Sequence, residues 1–487
     1  VLFFSMDAAA VDSFVKGVWE SSITPELEKF ITIPNQSPLF DPEWATNGYQ
    51  EQVVDMFMAW LKKQPLSGYN AEVVKLPELT PLIFVEIEST IPNESKEQAM
   101  ENTILLYGHF DKQPPLTDQW DSDLHPYKPI TKDGKLYGRG GADDGYAFYG
   151  AITAIAALQQ QKIPHARCVV VIEGCEESGS IHLPTYIEHL APRIGTPSLI
   201  VCLDSGCGNY EQLWLTTSLR GIVVATLRVD ILTEGVHSGK ASGVVPSSFR
   251  IIRNLLDRVE DSNTGKLLLD GLYVDIPERR KEQATEAANE LGDLVTQEFP
   301  FVEGARAVDL PLDELILNKT WRPALSVTGV DGIPALQDAG NVLRTQTTLT
   351  LSLRVPPTLK AQEGGNILKA ALEKDPPYGA KITCKVLKSG SGWNSPQLDD
   401  WLANAVKDAG QTIFGKPALY QGEGGSIPFM GMLGLRFPKA QFVITGVLGP
   451  NSNAHGPNEF IHLDFARKVT SCVALIINSH ASKSANQ

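Results

Sequence analysis

Three short runs, apolar at nearly every position, constrain the fold of this chain more than any other feature. Residues 103–107, 168–172 and 199–203 read Thr-Ile-Leu-Leu-Tyr, Cys-Val-Val-Val-Ile and Leu-Ile-Val-Cys-Leu, and each is followed within a few residues by an acid or a histidine. A strand apolar on both alternating faces must be covered on both, and helices are the usual cover. Helical spacing recurs at residues 8–33 (stopped by Pro34), 49–63 and 147–160. Further β-rich runs lie at 71–76 and 83–87. This alternation predicts an α/β domain with a mixed, mostly parallel sheet flanked by helices.

The pattern changes near Ser218. Residues 221–231 form a long β-rich run and 246–259 a helix, while 345–355 alternate with period two (Thr-Gln-Thr-Thr-Leu-Thr-Leu-Ser-Leu-Arg-Val). Strict alternation suits an antiparallel sheet with one solvated face. Residues 218–385 are therefore expected to form an inserted α+β lid domain with an antiparallel sheet. Residues 1–217 and 386–487 would make the α/β domain, completed by a helix at 396–414 and strands around 442–447.

The formal net charge of -15 argues against a nucleic-acid surface, which needs a basic face. No run of about twenty apolar residues marks a membrane span. Six cysteines in 487 residues are too sparse for a disulfide scaffold. The start, Val-Leu-Phe-Phe-Ser-Met-Asp, has no basic segment leading into a long apolar one. It also lacks an initiator methionine, so the expectation is a cytoplasmic protein with a trimmed N-terminus.

Acids and histidines gather where these strands should end: His109-Phe-Asp111, Asp143 in Gly138-Arg-Gly-Gly-Ala-Asp143-Asp144, Glu176-Glu177, Asp204, and His455 near the C-terminus. In α/β sheets, ligands bind beyond the carboxyl ends of strands. Zinc accepts His nitrogen and carboxylate oxygen. Two ions about 3.5–4 Å apart call for a bridging carboxylate. His109, Asp143, Glu177, Asp204 and His455 supply the ligands, with Asp143 bridging and Glu176 left over to take a proton. Each piece alone has a plainer explanation: Asp-Asp before a helix is usually a cap, and Glu-Glu a solvated pair. Their shared position after buried strands tells against those explanations. Gly138-x-Gly140 lacks the third glycine of a dinucleotide site and the Lys-Ser/Thr of a P-loop.

Together, Tyr-Gly-His109-Phe-Asp111, Gly-Arg-Gly-x-x-Asp143-Asp144, Glu-Gly-x-Glu176-Glu177-Ser-Gly-Ser, Asp204-Ser-Gly, His237-Ser-Gly and Glu423-Gly-Gly-Ser426-Ile-Pro resemble the di-zinc aminoacylase, carboxypeptidase and carnosine-dipeptidase type of metallopeptidase, closest to its cytosolic dipeptidase branch. The resemblance implies that His109 and Asp204 bind one ion and Glu177 and His455 the other. It makes Glu176 the general base, with Asp111 orienting His109. His237 would stabilise the oxyanion, from the partner subunit in dimeric relatives. Arg354 and Gly424-Gly425-Ser426 would bind the substrate carboxylate. Two divalent metal ions follow, zinc first, with manganese or cobalt admitted by the same donors. The expected substrate is a dipeptide or small peptide with a free C-terminal carboxylate. The alternatives are an N-acyl-amino-acid deacylase and a non-catalytic peptide-binding relative. A homodimer through the lid domain is the expected partnership. The chain departs from dipeptidase relatives at Gly145-Tyr146, where they usually carry Lys, and at Gly422, where they often carry a basic residue. His125, His165, His182, His189, His462 and His480 match no motif and read as structural or surface residues.

Overall fold

The computed structural model describes residues 6–484. Residues 1–5 and 485–487, included in the readings of the chain's start and of segment 386–487, lie outside the described residues.

The central sheet has six strands in the spatial order Tyr69–Val74, Leu82–Ile87, Cys168–Glu173, Thr103–His109, Pro197–Cys202, Gln441–Ile444. Thr103–His109 runs parallel to both its neighbours, and Gln441–Ile444 parallel to Pro197–Cys202. The other two strands add on antiparallel. Successive side chains on a strand point to opposite faces, and here they divide between two cores. Ile104, Leu106, Val170, Ile172 and Val201 pack with the helix Tyr146–Gln160 and the C-terminal helix Leu463–Ser484. Leu105, Tyr107, Val169, Val171, Ile200 and Cys202 pack on the other face with the helix Leu183–Ile194 and with Phe429, Met430 and Leu433. Covering both faces is what makes these strands read as unbroken apolar runs. Truncating a fully buried side chain such as Leu105 to Ala costs about 2–5 kcal/mol, so the strand register that carries His109 is firmly held.

A second sheet is antiparallel, with strands in the order Ala324–Asp331, Gln346–Val355, Gly221–Asp230, Lys381–Gly390. Along Gln346–Val355 every second residue is buried. Leu349, Leu351, Leu353 and Val355 join Val223, Ala225, Leu227 and Val229 beneath the helices Ser248–Leu256 and Ala361–Glu373. Two helices that lie between these strands in sequence pack elsewhere. Ala284 and Ala287 of Glu278–Leu291, and Ile316 and Leu317 of Leu312–Thr320, join the larger core of the first sheet. The strand Lys381–Gly390 continues past residue 385.

Candidate active site

The parallel strands end on one edge of the central sheet, and the ligand-type residues follow from there. His109 is the last residue of its strand; Glu176 and Glu177 open a short 3-10 turn after Glu173; Asp204 comes two residues after Cys202. Asp143 lies in the tight turn Gly141–Gly145 that leads into the helix Tyr146–Gln160. The close fit of this turn against the strand requires Gly108, where a Cβ would come within 2.4 Å of Ala147 Cβ and 2.7 Å of Asp144 Oδ2. His455 arrives from the loop before the strand Phe460–His462.

Five of these side chains meet in two clusters. His109 Nε2 lies 3.1 Å from Asp143 Oδ1 and 3.8 Å from Asp204 Oδ2. His455 Nε2 lies 3.1 Å from Asp143 Oδ2 and 3.3 Å from Glu177 Oε2. Within each cluster the donor atoms lie within 4.8 Å of one another. Asp143 belongs to both and turns one oxygen to each. His109, Asp143, Glu177 and Asp204 are buried, whereas the His455 side chain is 59% exposed.

Asp111 organises this edge. Its carboxylate accepts the backbone N–H of Glu176 through Oδ1 and that of Glu177 through Oδ2, both at 3.0 Å. Its carbonyl oxygen lies 3.1 Å from His109 Nδ1. A carbonyl can only accept, so Nδ1 carries a proton, which leaves Nε2 as the nitrogen that would face an ion in the cluster, as a metal-ligating histidine requires. The imidazole is thus oriented by the Asp111 carbonyl and by Asp111 Oδ1, 3.4 Å from Nδ1, while the same carboxylate positions the two glutamates. Asp144, joined to Asp143 by a cis peptide, accepts the His109 backbone N–H at 3.2 Å.

The electrostatics follow from crowding carboxylates out of water. Burial, reinforced by Asp204, raises Glu176 well above the usual carboxylate range. Burial and Asp143 do the same to Glu177, and burial lifts Asp204 to about 6. Burial disfavours the charged form of His109, but Asp204, Asp111 and Asp143 outweigh it and hold the imidazolium well above the ordinary range. Burial likewise raises Asp143, but hydrogen bonds to His109 and His455 carry it far below the carboxylate range. Such a set of oxygen and imidazole donors fits divalent cations. Glu177 Oε1 supports that fit, because it is buried with no hydrogen-bond partner among the described residues.

The remaining residues singled out in the sequence lie elsewhere. His237 is exposed in the insert, its Nδ1 accepting the Gly239 N–H at 3.1 Å, and it is not among the clustered groups. Arg354 is half-buried opposite Ile222 in the antiparallel sheet, its guanidinium pKa lowered by burial. Gly424-Gly425-Ser426 follows the strand Leu419–Glu423. At Gly422 a Cβ would approach Ser218 Oγ to 2.5 Å and Thr320 Cβ to 2.8 Å, leaving no room for a basic side chain. At Gly145 a Cβ would meet the Phe30 ring at 2.2 Å, and Tyr146 donates its hydroxyl to the Leu203 carbonyl beside Asp204 at 2.5 Å.

Sequence reading missed three groups. Arg220, immediately before the strand Gly221–Asp230, donates to the carbonyls of Gly424, Asn318 and Arg322 at 3.1–3.3 Å. Burial, and then the charge of Arg354, lowers its pKa to about 10. Glu173 accepts from Tyr107 Oη and Ser180 Oγ and is pushed by burial to about 8. Glu459, four residues after His455, is fully buried and receives Arg139. An acid inside an apolar strand run was the available signal for Glu173.

The chain matches Peptidase family M20/M25/M40 over residues 105–479. It is 30% identical over 370 residues to a cysteinylglycine-S-conjugate dipeptidase of Corynebacterium striatum, covering 74% of this chain and 77% of that protein. Identity to a Beta-Ala-His dipeptidase of Rattus norvegicus is 27% over 366 residues, 72% of this chain and 69% of the relative. In fold it is similar to human carnosine dipeptidase 1, with a TM-score of 0.74 at 21% identity over 98% of this chain and 99% of the other. A family M20 metallo-carboxypeptidase from Sulfolobus solfataricus gives 0.73 at 19% identity, over 95% and 100%. The chain is a metal-dependent peptidase and belongs to peptidase family M20/M25/M40.

Proposed function

We propose that this peptidase hydrolyses dipeptides and small peptides that carry a free C-terminal carboxylate, using two divalent ions of zinc type. One observation carries the two-ion reading: Asp143 directs Oδ1 to the His109 cluster and Oδ2 to the His455 cluster. His109 and Asp204 would hold one ion, Glu177 and His455 the other, with Asp143 between. Such ions, when bound, polarise a carbonyl and lower the pKa of water towards about 7. Glu176, with its backbone fixed by Asp111, takes the proton of the attacking water and delivers it to the leaving amine. Arg354 and the turn Gly424-Gly425-Ser426 receive the terminal carboxylate, a task that suits a forked guanidinium.

His237 faces solvent and serves as the oxyanion donor of a second copy, paired through the antiparallel sheet of the segment inserted between residues 218 and 390. The exposed Val327 and Val330 on the edge strand Ala324–Asp331 support such pairing. Six free, buried cysteines support the cytoplasm as the compartment. Among the described residues no helix is long and apolar enough to cross a membrane.

The test offers dipeptides, acetyl-amino acids and succinyl-amino acids to protein stripped by a chelator and reloaded with zinc, manganese or cobalt, with elemental analysis alongside. Dipeptide cleavage that vanishes on stripping and returns with two ions per chain is the expected result. Cleavage confined to N-acyl amino acids would replace this reading with the deacylase. Peptide binding without cleavage by the loaded protein would replace it with a non-catalytic receptor.

A further inference from the structure

Two buried side chains outside the proposed reaction collect the hydrogen bonds that shape the loops around His455. Arg139 Nη1 donates to Glu459 Oε2 at 2.8 Å, Nη2 to the Gly456 carbonyl at 2.7 Å and Nε to the Pro114 carbonyl at 3.1 Å. The Glu459 carboxylate also accepts the backbone N–H groups of Gly140, Ala142 and Asp143 at 3.0–3.3 Å. Arg139 is 1% exposed and Glu459 0%. Removing one partner of a buried pair strands the other charge.

These contacts reach one cluster more than the other. They hold the peptide beside His455, through Gly456, which serves one cluster alone, and the backbone of Asp143, which both share. Neither residue hydrogen-bonds to His109, which ends its strand, or to Asp204, two residues past Cys202; His109 is oriented by Asp111. We propose that Arg139 and Glu459 are positioning residues that set the cation affinity of the Asp143–Glu177–His455 cluster, while the His109–Asp143–Asp204 cluster has separate support. The inference rests on the two-ion reading above. Loss of the Glu459 charge acts twice in the same direction. It frees the two loops, and it leaves the Arg139 guanidinium uncompensated beside a cation site, where like charge repels.

Cobalt(II) titration of the metal-free full chain tests this, read by visible absorption and by metal content after dialysis against graded chelator. Wild type, Glu459→Gln, Arg139→Lys and, as a marker for one-site occupancy, His455→Ala are compared. Wild type is expected to bind two equivalents. Glu459→Gln should keep one tight ion and hold the second about 10–100-fold more weakly, the usual cost of losing a supporting group. Its one-equivalent spectrum should match that of His455→Ala. Arg139→Lys, which keeps the charge but loses the fork, should weaken the same site. If Glu459→Gln fails to fold, as judged by circular dichroism, Arg139→Lys decides by the same titration. Two sites of wild-type affinity in the variants, or equal weakening of both, would overturn the proposal. A wild-type chain that binds no cobalt would instead overturn the two-ion reading.

Discussion

Replacing Asp111 by Asn preserves its volume and removes the charge of a carboxylate that also lies 3.4 Å from His109 Nδ1. The carboxylate accepts two backbone N–H groups, from Glu176 and Glu177. Asparagine has one oxygen, so one bond survives in neutral form and the other N–H faces an NH2 donor. A hydrogen bond to a charged group is worth about 1.5–3 kcal/mol, and a buried donor left unmet costs about 1–3 kcal/mol. The turn that presents Glu176 therefore loses about 3–5 kcal/mol of support. At 1.36 kcal/mol per decade, full expression in the transition state would lower kcat/KM about 10²–10⁴-fold. The assay is dipeptide hydrolysis at saturating metal, with thermal unfolding in parallel. The fall should lie mainly in kcat, because Asp111 is buried behind the glutamates. A variant of wild-type stability that retains more than about a tenth of wild-type kcat/KM would refute the reasoning.

Glu176→Gln should keep both ions yet lose about 10²–10⁴-fold in kcat; retention of more than about a tenth of the turnover removes Glu176 as the base. Arg220→Met frees the Gly424 carbonyl and the turn beside it, so KM for dipeptides should rise about tenfold or more while dipeptide amides change little. An equal rise for both would detach this turn from carboxylate recognition. His480 is held to about 4 by burial and by Lys483, below its ordinary 6.5. Unfolding then takes up a proton between about pH 6.5 and 4, so its stabilising contribution is complete above that window and lost as pH falls through it. The slope is up to about 1.4 kcal/mol per pH unit. His480→Gln should flatten the stability profile across this window in denaturant melts, and an unchanged profile would count against the assignment.

Much of the central sheet and its edge was legible from local pattern. A run apolar on both faces has to lie inside a sheet, so the residue that ends it has to sit at the sheet's edge. That reasoning brought His109 and Asp204 to one place, and the loops of Asp143, Glu177 and His455 join them there. Period-two alternation at Gln346–Val355 likewise announced a one-faced antiparallel sheet. Local pattern states which face of a helix is apolar but not which core it meets. The helices Glu278–Leu291 and Leu312–Thr320 therefore gave no sign that they pack with the larger core. Arg139 and Glu459 are 320 positions apart, and nothing near either shows that the other will neutralise it. The two guanidiniums of Arg220 and Arg354 are brought together only when the second sheet forms. Spacing along the chain determined which groups could supply the chemistry; only the packing of distant segments decided which buried charges hold them, because a buried charge is satisfied by its neighbours in space.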